Sequence, residues 1–208
     1  MTGPVVGRIR AKQRTKTGDD ATVIEKSWGD PAHFGVLFDK HAPVIYRYIA
    51  RRIGRQGSDD LVAETFMAAF GGRHRYDLAR RDARPWLYGI ATNVISRHRR
   101  DELRQLRISQ VVDTQPVPAE YADRVALDVT AQSLRGDLAT ALAGLAAGDR
   151  DVLILVAWEA LTYEEVASAL AIPVGTVRSR LHRVRLQLRP VLDQPSTTTT
   201  IKEVLTND

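Results

Sequence analysis

Cysteine is absent from this 208-residue chain. That excludes disulfides, a thiolate metal site and a cysteine nucleophile, and it suits a reducing compartment. The five histidines (His33, His41, His74, His98 and His182) are scattered without ligand spacing, so neither a metal nor any other cofactor is expected. No apolar run reaches the roughly 20 residues of a membrane span, and the N-terminus lacks the apolar core of a signal peptide. The expectation is a soluble, cytoplasmic protein. Also missing are a Gly-rich phosphate loop and an HExxH motif. The adjacent carboxylates Asp59 and Asp60 would face apart on a helix. A hydrolase therefore has no constellation to work with. Strand-like alternation and internal repeats are lacking too, which leaves an all-α fold.

Acidic residues are missing from two particular stretches. Residues 1–18 carry five basic residues and no acidic one, and residues 171–189 carry five arginines and no acidic one. Residues 71–100 are also basic, with eight basic and two acidic, whereas 101–170 hold five basic and twelve acidic. The net charge of +5 hides this sorting. Two separate basic blocks around an acidic middle suit a polyanion-binding protein with two contact regions.

The most informative stretch is 162–188, TYEEVASALAIPVGTVRSRLHRVRLQL. Thr162 is a good N-cap, and Glu165 completes a capping box. Val166 and Leu170 form one apolar stripe. Ala171, Ile172, Pro173 and Gly175 break it, and Val177, Leu181, Val184 and Leu188 form a second. The second helix carries Arg178, Arg180, Arg183, Arg185 and Arg189. Two short amphipathic helices, the second arginine-faced, make the helix-turn-helix layout that places a recognition helix in the DNA major groove. The plainer alternative is a helical hairpin with a solvated basic face.

Upstream, residues 1–31 read as a basic, flexible arm. From Phe34 a helical face appears: Leu37, Phe38, His41, Val44, Ile45, Tyr48, Ile49 and Arg52, closed by Gly54 and Gly57. A second helix starts at Ser58 with Asp59 and Asp60, buries Leu61, Val62, Thr65, Phe66, Ala69 and Phe70, and stops at Gly71 and Gly72. After an Arg-rich loop, Pro85 opens a third, with Trp86, Leu87, Ile90, Ala91, Val94 and Ile95 inward. These helices make a domain over 32–107. Residues 108–135 read as a flexible linker, perforated by Pro116 and Pro118, with a short helix near Tyr121 to Leu134. Such a linker would hold two domains about 30 Å apart on average. The second domain, 136–190, opens on Leu138, Leu142 and Leu145 and continues through the apolar stretch to Trp158. The tail, 191–208, with its PSTTTT run, reads as disordered. Arm and tail are expected to be solvated rather than regulatory.

DLVAETFMAAF, then RPWLYGIATNVISRHRR, then DRDVLILVAWEALTYEEVASALAIPVGTVRSRLHRVR occur in that order. Together they resemble regions 2 and 4 of the extracytoplasmic-function sigma factors of bacterial RNA polymerase, over most of residues 33–190. The helix-turn-helix alone is shared with other regulators, whereas the ordered pair is highly specific. The resemblance implies a non-catalytic, nucleoid-associated promoter-specificity factor, whose partners are core RNA polymerase, promoter DNA and an anti-sigma protein that commonly restrains such factors.

By the same resemblance, Asp59, Asp60, Leu61, Glu64, Thr65 and Phe66 dock on the coiled coil of the largest polymerase subunit, with core packing the alternative for Leu61 and Phe66. Trp158 lies on the helix that in relatives helps contact the flap of the second-largest subunit. The −10 element falls to Arg73, His74, Arg75 and Tyr76 in the loop and to Asn93, Arg97 and Arg100 on the helix. Cationic and aromatic groups of that kind hold unstacked bases, at about 1–3 kcal/mol per base. Trp86 shares the register of Ile90 and reads as core, while Tyr88 lies off that stripe. The −35 element falls to Arg178, Ser179, His182 and Arg183 as readers, with Arg180 and Arg185 as phosphate clamps. The chain departs from the commoner pattern at Pro85, His182 and Gly89. Gly89 stands where a basic residue is frequent, and a mid-helix glycine costs roughly 1 kcal/mol relative to alanine. The competing class is a stand-alone helix-turn-helix regulator acting on duplex DNA, against which residues 59–100 weigh.

Overall fold

The computed structural model describes residues 19–112 and 136–192. Eight α-helices and no strand occur among the described residues: α1 (Asp20–Gly29), α2 (Phe34–Ile53), α3 (Ser58–Gly72), α4 (Arg84–Val112), α5 (Gly136–Ala143), α6 (Ala147–Ala157), α7 (Tyr163–Leu170) and α8 (Val174–Leu192). The fold is all-α, as the patterning requires. The expected short helix near 121–134 and the tail beyond Leu192 lie outside the described residues.

The stripes sort the side chains inward. Leu37, His41, Ile45, Tyr48, Ile49 and Arg52 of α2 are buried against Leu61, Val62, Phe66 and Ala69 of α3 and Leu87, Ala91, Val94 and Ile95 of α4. Each buried aliphatic side chain contributes on the order of 1.5–3 kcal/mol. Gly54 and Gly57 turn the chain between α2 and α3 at φ 88° and 76°, a backbone region that a residue with a Cβ adopts only under strain. Pro85 lies at the start of α4, as its missing N–H favours, although α4 continues past 107 into the span assigned to the linker.

Two expectations are corrected. Residues 19–31 are not an arm. Asp19 caps α1 by accepting from the Ala21 N–H at 3.1 Å, and Ala21 and Ile24 enter the core. The stretch hides its order because α1 is short and mixed, and its anchor is a single buried carboxylate, Asp20, 1% exposed. Asp20 accepts from Lys40 Nζ at 2.5 Å and the Ala83 N–H at 2.9 Å, and pairs with His41 Nε2 at 2.9 Å. Those partners lie 20 to 63 residues away, beyond any local pattern.

The second correction concerns separation. The two helical units are not held apart: α4 packs across α7, and one apolar cluster runs from Ile24 through Tyr88 to Leu155, Val166 and Leu181. A smaller cluster of Leu142, Leu145, Leu153, Val184 and Leu188 closes the far side of the second unit. The reach of a random coil sets only a mean spacing, and complementary surfaces override it. A polar chain crosses the seam. Arg52 donates to the Tyr48 hydroxyl at 2.8 Å and to Asp151 of α6, Tyr48 bonds Thr92 Oγ1 at 2.6 Å, and Thr92 donates to the Tyr88 carbonyl at 2.8 Å. With the Thr92 proton given to that carbonyl and the Tyr48 oxygen accepting from Arg52, the Tyr48 proton goes to Thr92. Burial pushes the Tyr48 phenol above its usual range, so it stays protonated as that relay needs.

Burial alone would raise Asp20, but the bonds from His41, Ala83 and Lys40 outweigh it and hold the carboxyl at about 2. A depressed carboxylate stabilises the fold above its unfolded pKa, near 3.8, and that contribution disappears as pH falls toward 2. Asp20→Asn is therefore expected to lose about 2 kcal/mol at pH 7. In urea titrations the gap between variant and wild type should shrink steadily below about pH 4. A gap unchanged down to pH 3 would remove Asp20 from this role.

Candidate nucleic-acid interface

The helix-turn-helix is built from local chemistry. Thr162 Oγ1 accepts from the Glu165 N–H at 3.2 Å, and the Glu165 carboxylate accepts from the Thr162 N–H at 2.8 Å, completing the capping box. Ala171 ends α7 in the left-handed region at φ 52°, a position glycine usually fills, and nothing in the sequence marks it. Pro173 then accepts from the Thr176 N–H at 2.9 Å to start α8. Val177, Leu181, Val184 and Leu188 are buried, so helical geometry turns Arg178, Ser179, His182 and Arg183 to solvent.

These arginines do not all stand alike. Arg183 makes a two-pronged contact with Asp149 at the start of α6, Nη2 to Oδ1 at 2.8 Å and Nε to Oδ2 at 3.1 Å. Arg180 lies half-buried beside it, donating to the Gly148 carbonyl at 3.3 Å and sitting 3.9 Å from the same carboxylate. Arg185 is half-buried, whereas Arg178 is exposed. The sequence shows none of these tethers, because Asp149 lies 34 residues before Arg183.

The loop before α4 is tied into the fold. Arg73 lies over the Phe70 ring, 3.8 Å from its centroid, and donates to the Phe70 carbonyl at 2.7 Å. His74 contacts the Trp28 ring, and the Trp28 indole N–H reaches the Arg73 carbonyl at 3.3 Å. Tyr76 is buried: its hydroxyl donates to the Arg80 carbonyl at 2.6 Å, its ring meets Trp86, and burial raises its phenol pKa. Arg75, Asn93, Arg97 and Arg100 are exposed, although Arg97 pairs with Glu64. Arg75, Tyr76 and Asn93 line a cavity of about 350 Å³ roofed by Ser168 and Ala169 of α7. Tyr88, off the stripe by sequence, is buried at the seam between Tyr48 and Glu159. Burial is also the main reason that its phenol is raised.

On α3, Asp59 and Asp60 are exposed at the positive end of the helix dipole. Leu61, Thr65 and Phe66 are buried, so at those positions core packing dominates, and Thr65 donates to the Leu61 carbonyl at 2.7 Å. The sequence does not single out Met67, which is 74% exposed beside them, and Phe38, placed by sequence on the apolar face, is 43% exposed against the Phe66 ring. Their signal was a place off the stripe for Met67 and a place at its margin for Phe38. Trp158 is half-buried and packs against both apolar clusters.

Residues 37–105 match the family model for sigma-70 region 2, and residues 135–188 match that for sigma-70 region 4. The ECF RNA polymerase sigma factor SigE of Mycolicibacterium smegmatis is 33% identical over 186 residues, covering 88% of this chain and 67% of its own length. The ECF sigma factor SigL of Mycobacterium tuberculosis is 32% identical over 175 residues, covering 84% and 97%. The chain belongs to the extracytoplasmic-function sigma factors of RNA polymerase. CnrH, solved in complex with the cytosolic domain of CnrY, shares the fold of this sigma factor at a TM-score of 0.58 and 26% identity, covering 86% of this chain and 99% of its own. RpoE of Bartonella quintana has the same fold, with a TM-score of 0.57.

Sigma factors are promoter-specificity subunits and leave catalysis to the polymerase. None of the helices described is long and apolar enough to cross a membrane. Because the capping box is exposed and local, Thr162→Ala should cost about 1 kcal/mol, measured by thermal or urea unfolding. An unchanged midpoint would mean that tertiary contacts, not the cap, set the start of α7.

Proposed function

We propose that this sigma factor divides promoter recognition between its two units, 32–107 at the −10 element and 136–190 at the −35 element, while residues on α3 hold core polymerase. The reading rests on one observation: a solvent-facing recognition helix without an acidic residue is joined in one chain to a basic loop and helix of region 2 type. Arg178, Ser179 and His182 present donors at the outer face of α8, where arginine reads guanine O6 and N7. Arg183 joins them when DNA draws it from Asp149, and Arg180 and Arg185 hold phosphates. Arg75, Asn93, Arg97 and Arg100 offer the −10 strand cations and an amide. Arg73, His74 and Tyr76 shape the loop that carries Arg75. Asp59 and Asp60 meet a basic polymerase surface, with Met67 as an apolar neighbour and Glu64 at the border with α4.

CnrH was captured with the cytosolic domain of CnrY. By that likeness a protein partner binds this chain as well, in keeping with the anti-sigma protein that the family resemblance implies. Its site of action is the cytoplasmic nucleoid, where polymerase and promoter are.

The decisive experiment adds purified protein to core polymerase and maps transcription starts without bias. Specific starts at cognate promoters are expected. Failure to restore initiation, combined with tight binding to duplex DNA by the chain alone, would instead favour a stand-alone regulator. Arg183→Ala is expected to lose about 1–3 kcal/mol of discrimination at one base pair of the −35 element, with core association unchanged. An equal loss on every sequence, with a salt slope shallower by about 1, would make Arg183 a phosphate contact.

A further inference from the structure

Asp149 lies in the first turn of α6, outside the helix-turn-helix, and its side chain is only 5% exposed. A carboxylate so buried needs partners, and both come from the recognition helix. Arg183 supplies two parallel bonds, Nη2 to Oδ1 at 2.8 Å and Nε to Oδ2 at 3.1 Å. Arg180 brings its Nε to 3.9 Å from Oδ1 and donates from Nη1 to the Gly148 carbonyl at 3.3 Å. Glycine at 148 leaves room for that seat: a Cβ there would lie 2.8 Å from Arg180 Nη1 and 2.9 Å from its Cζ. The start of α6 is thus a shaped dock for two arginines of α8.

The two arginines differ in freedom. The Arg180 side chain is 26% exposed and that of Arg183 is 57% exposed. Arg183 can therefore leave while Arg180 stays beside the buried carboxylate as its counter-ion. What Arg183 leaves is a pair of acceptors matched to its planar fork of donors. Guanine O6 and N7 present such a pair, and a single phosphate oxygen does not.

We infer that Asp149 is a positioning residue for −35 discrimination: it keeps Arg183 off the DNA backbone unless the duplex offers a guanine in place of the carboxylate. The inference rests on the assignment of α8 to the −35 element. On a wrong sequence Arg183 stays on Asp149 and adds nothing to binding. Without the carboxylate, the same arginine would settle on a phosphate of any sequence, a contact that carries no sequence information. Specificity is a difference between two affinities, and Asp149 lowers the unwanted one.

The test uses holoenzyme reconstituted from core polymerase and the full chain, on a mapped promoter and on versions with single −35 G·C pairs swapped. Arg183→Ala identifies the pair that Arg183 reads, since initiation at the mapped promoter should fall by about fivefold or more there. That narrows discrimination from above. Asp149→Asn keeps the side chain's shape and should narrow it from below, the swapped promoter gaining by about threefold near 50 mM salt. Most of this gain should be lost by about 200 mM, because one phosphate contact changes affinity roughly 3.5-fold over that range. A purely structural role for Asp149 would lower both promoters together. Simple loss of a negative charge would raise the swapped promoter in an Arg183→Ala background too, whereas the proposal requires the gain to vanish in that double variant. Arg183→Lys keeps the charge at an exposed position but gives up the fork, so the swapped promoter should gain as well. It decides the matter if Asp149→Asn does not fold. No gain at the swapped promoter, or a gain that survives Arg183→Ala, overturns the proposal. If Arg183→Ala narrows discrimination at no base pair, the −35 role of Arg183 itself fails, and the proposal with it.

Discussion

The buried pair of Arg52 and Asp151 is the constraint on which the arrangement of this sigma factor depends. Arg52 is 2% exposed, and Asp151 comes from the other helical unit. Removing one partner of such a pair commonly costs about 3–5 kcal/mol, because it strands a charge in the interior. Here the cost has an escape: if the two units part, both groups regain water. The pair therefore acts as a latch, strong while the seam stays dry and weak once it is wet. The relay through Tyr48, Thr92 and the Tyr88 carbonyl extends that dependence into α4, where the ring of Tyr88 borders the same seam.

Most of the fold was legible because its determinants are local. The stripe Val177, Leu181, Val184 and Leu188, the Thr162–Glu165 box and the stops at Gly54 and Gly71–Gly72 each need only a few neighbouring residues. Much of what escaped the sequence shares one property, a polar partner far along the chain. Asp20 reaches Ala83, Arg52 reaches Asp151, and Arg183 reaches Asp149. Periodicity describes which face is apolar and says nothing about which carboxylate meets which cation. The candidate site divides the same way. Its outer face was readable, while the sequestration of Tyr76 and the sharing of Asp149 were not. Gly89 lies between these cases, since its departure from helix propensity was visible and its neighbour across the seam, the backbone of Ala169, was not.

Under the proposed −35 reading, the pairing of Asp149 with Arg180 and Arg183 bears on how the recognition helix meets DNA. Arg183 is exposed while Asp149 is buried, and Arg180 stays beside that carboxylate, so Arg183 can leave for a base or phosphate without stranding the charge alone. The carboxylate does limit the side chain's rotamers. An unrestrained arginine loses about 2 kcal/mol of rotamer freedom when fixed. One already held by a two-pronged contact loses less, although it must exchange one partner for another. The balance favours discrimination over raw affinity. A base edge must offer two acceptors in the geometry that the carboxylate provides, and guanine does so. A single phosphate oxygen repays the exchange less well, which separates Arg183 from Arg178, whose guanidinium stands in water and can settle on either.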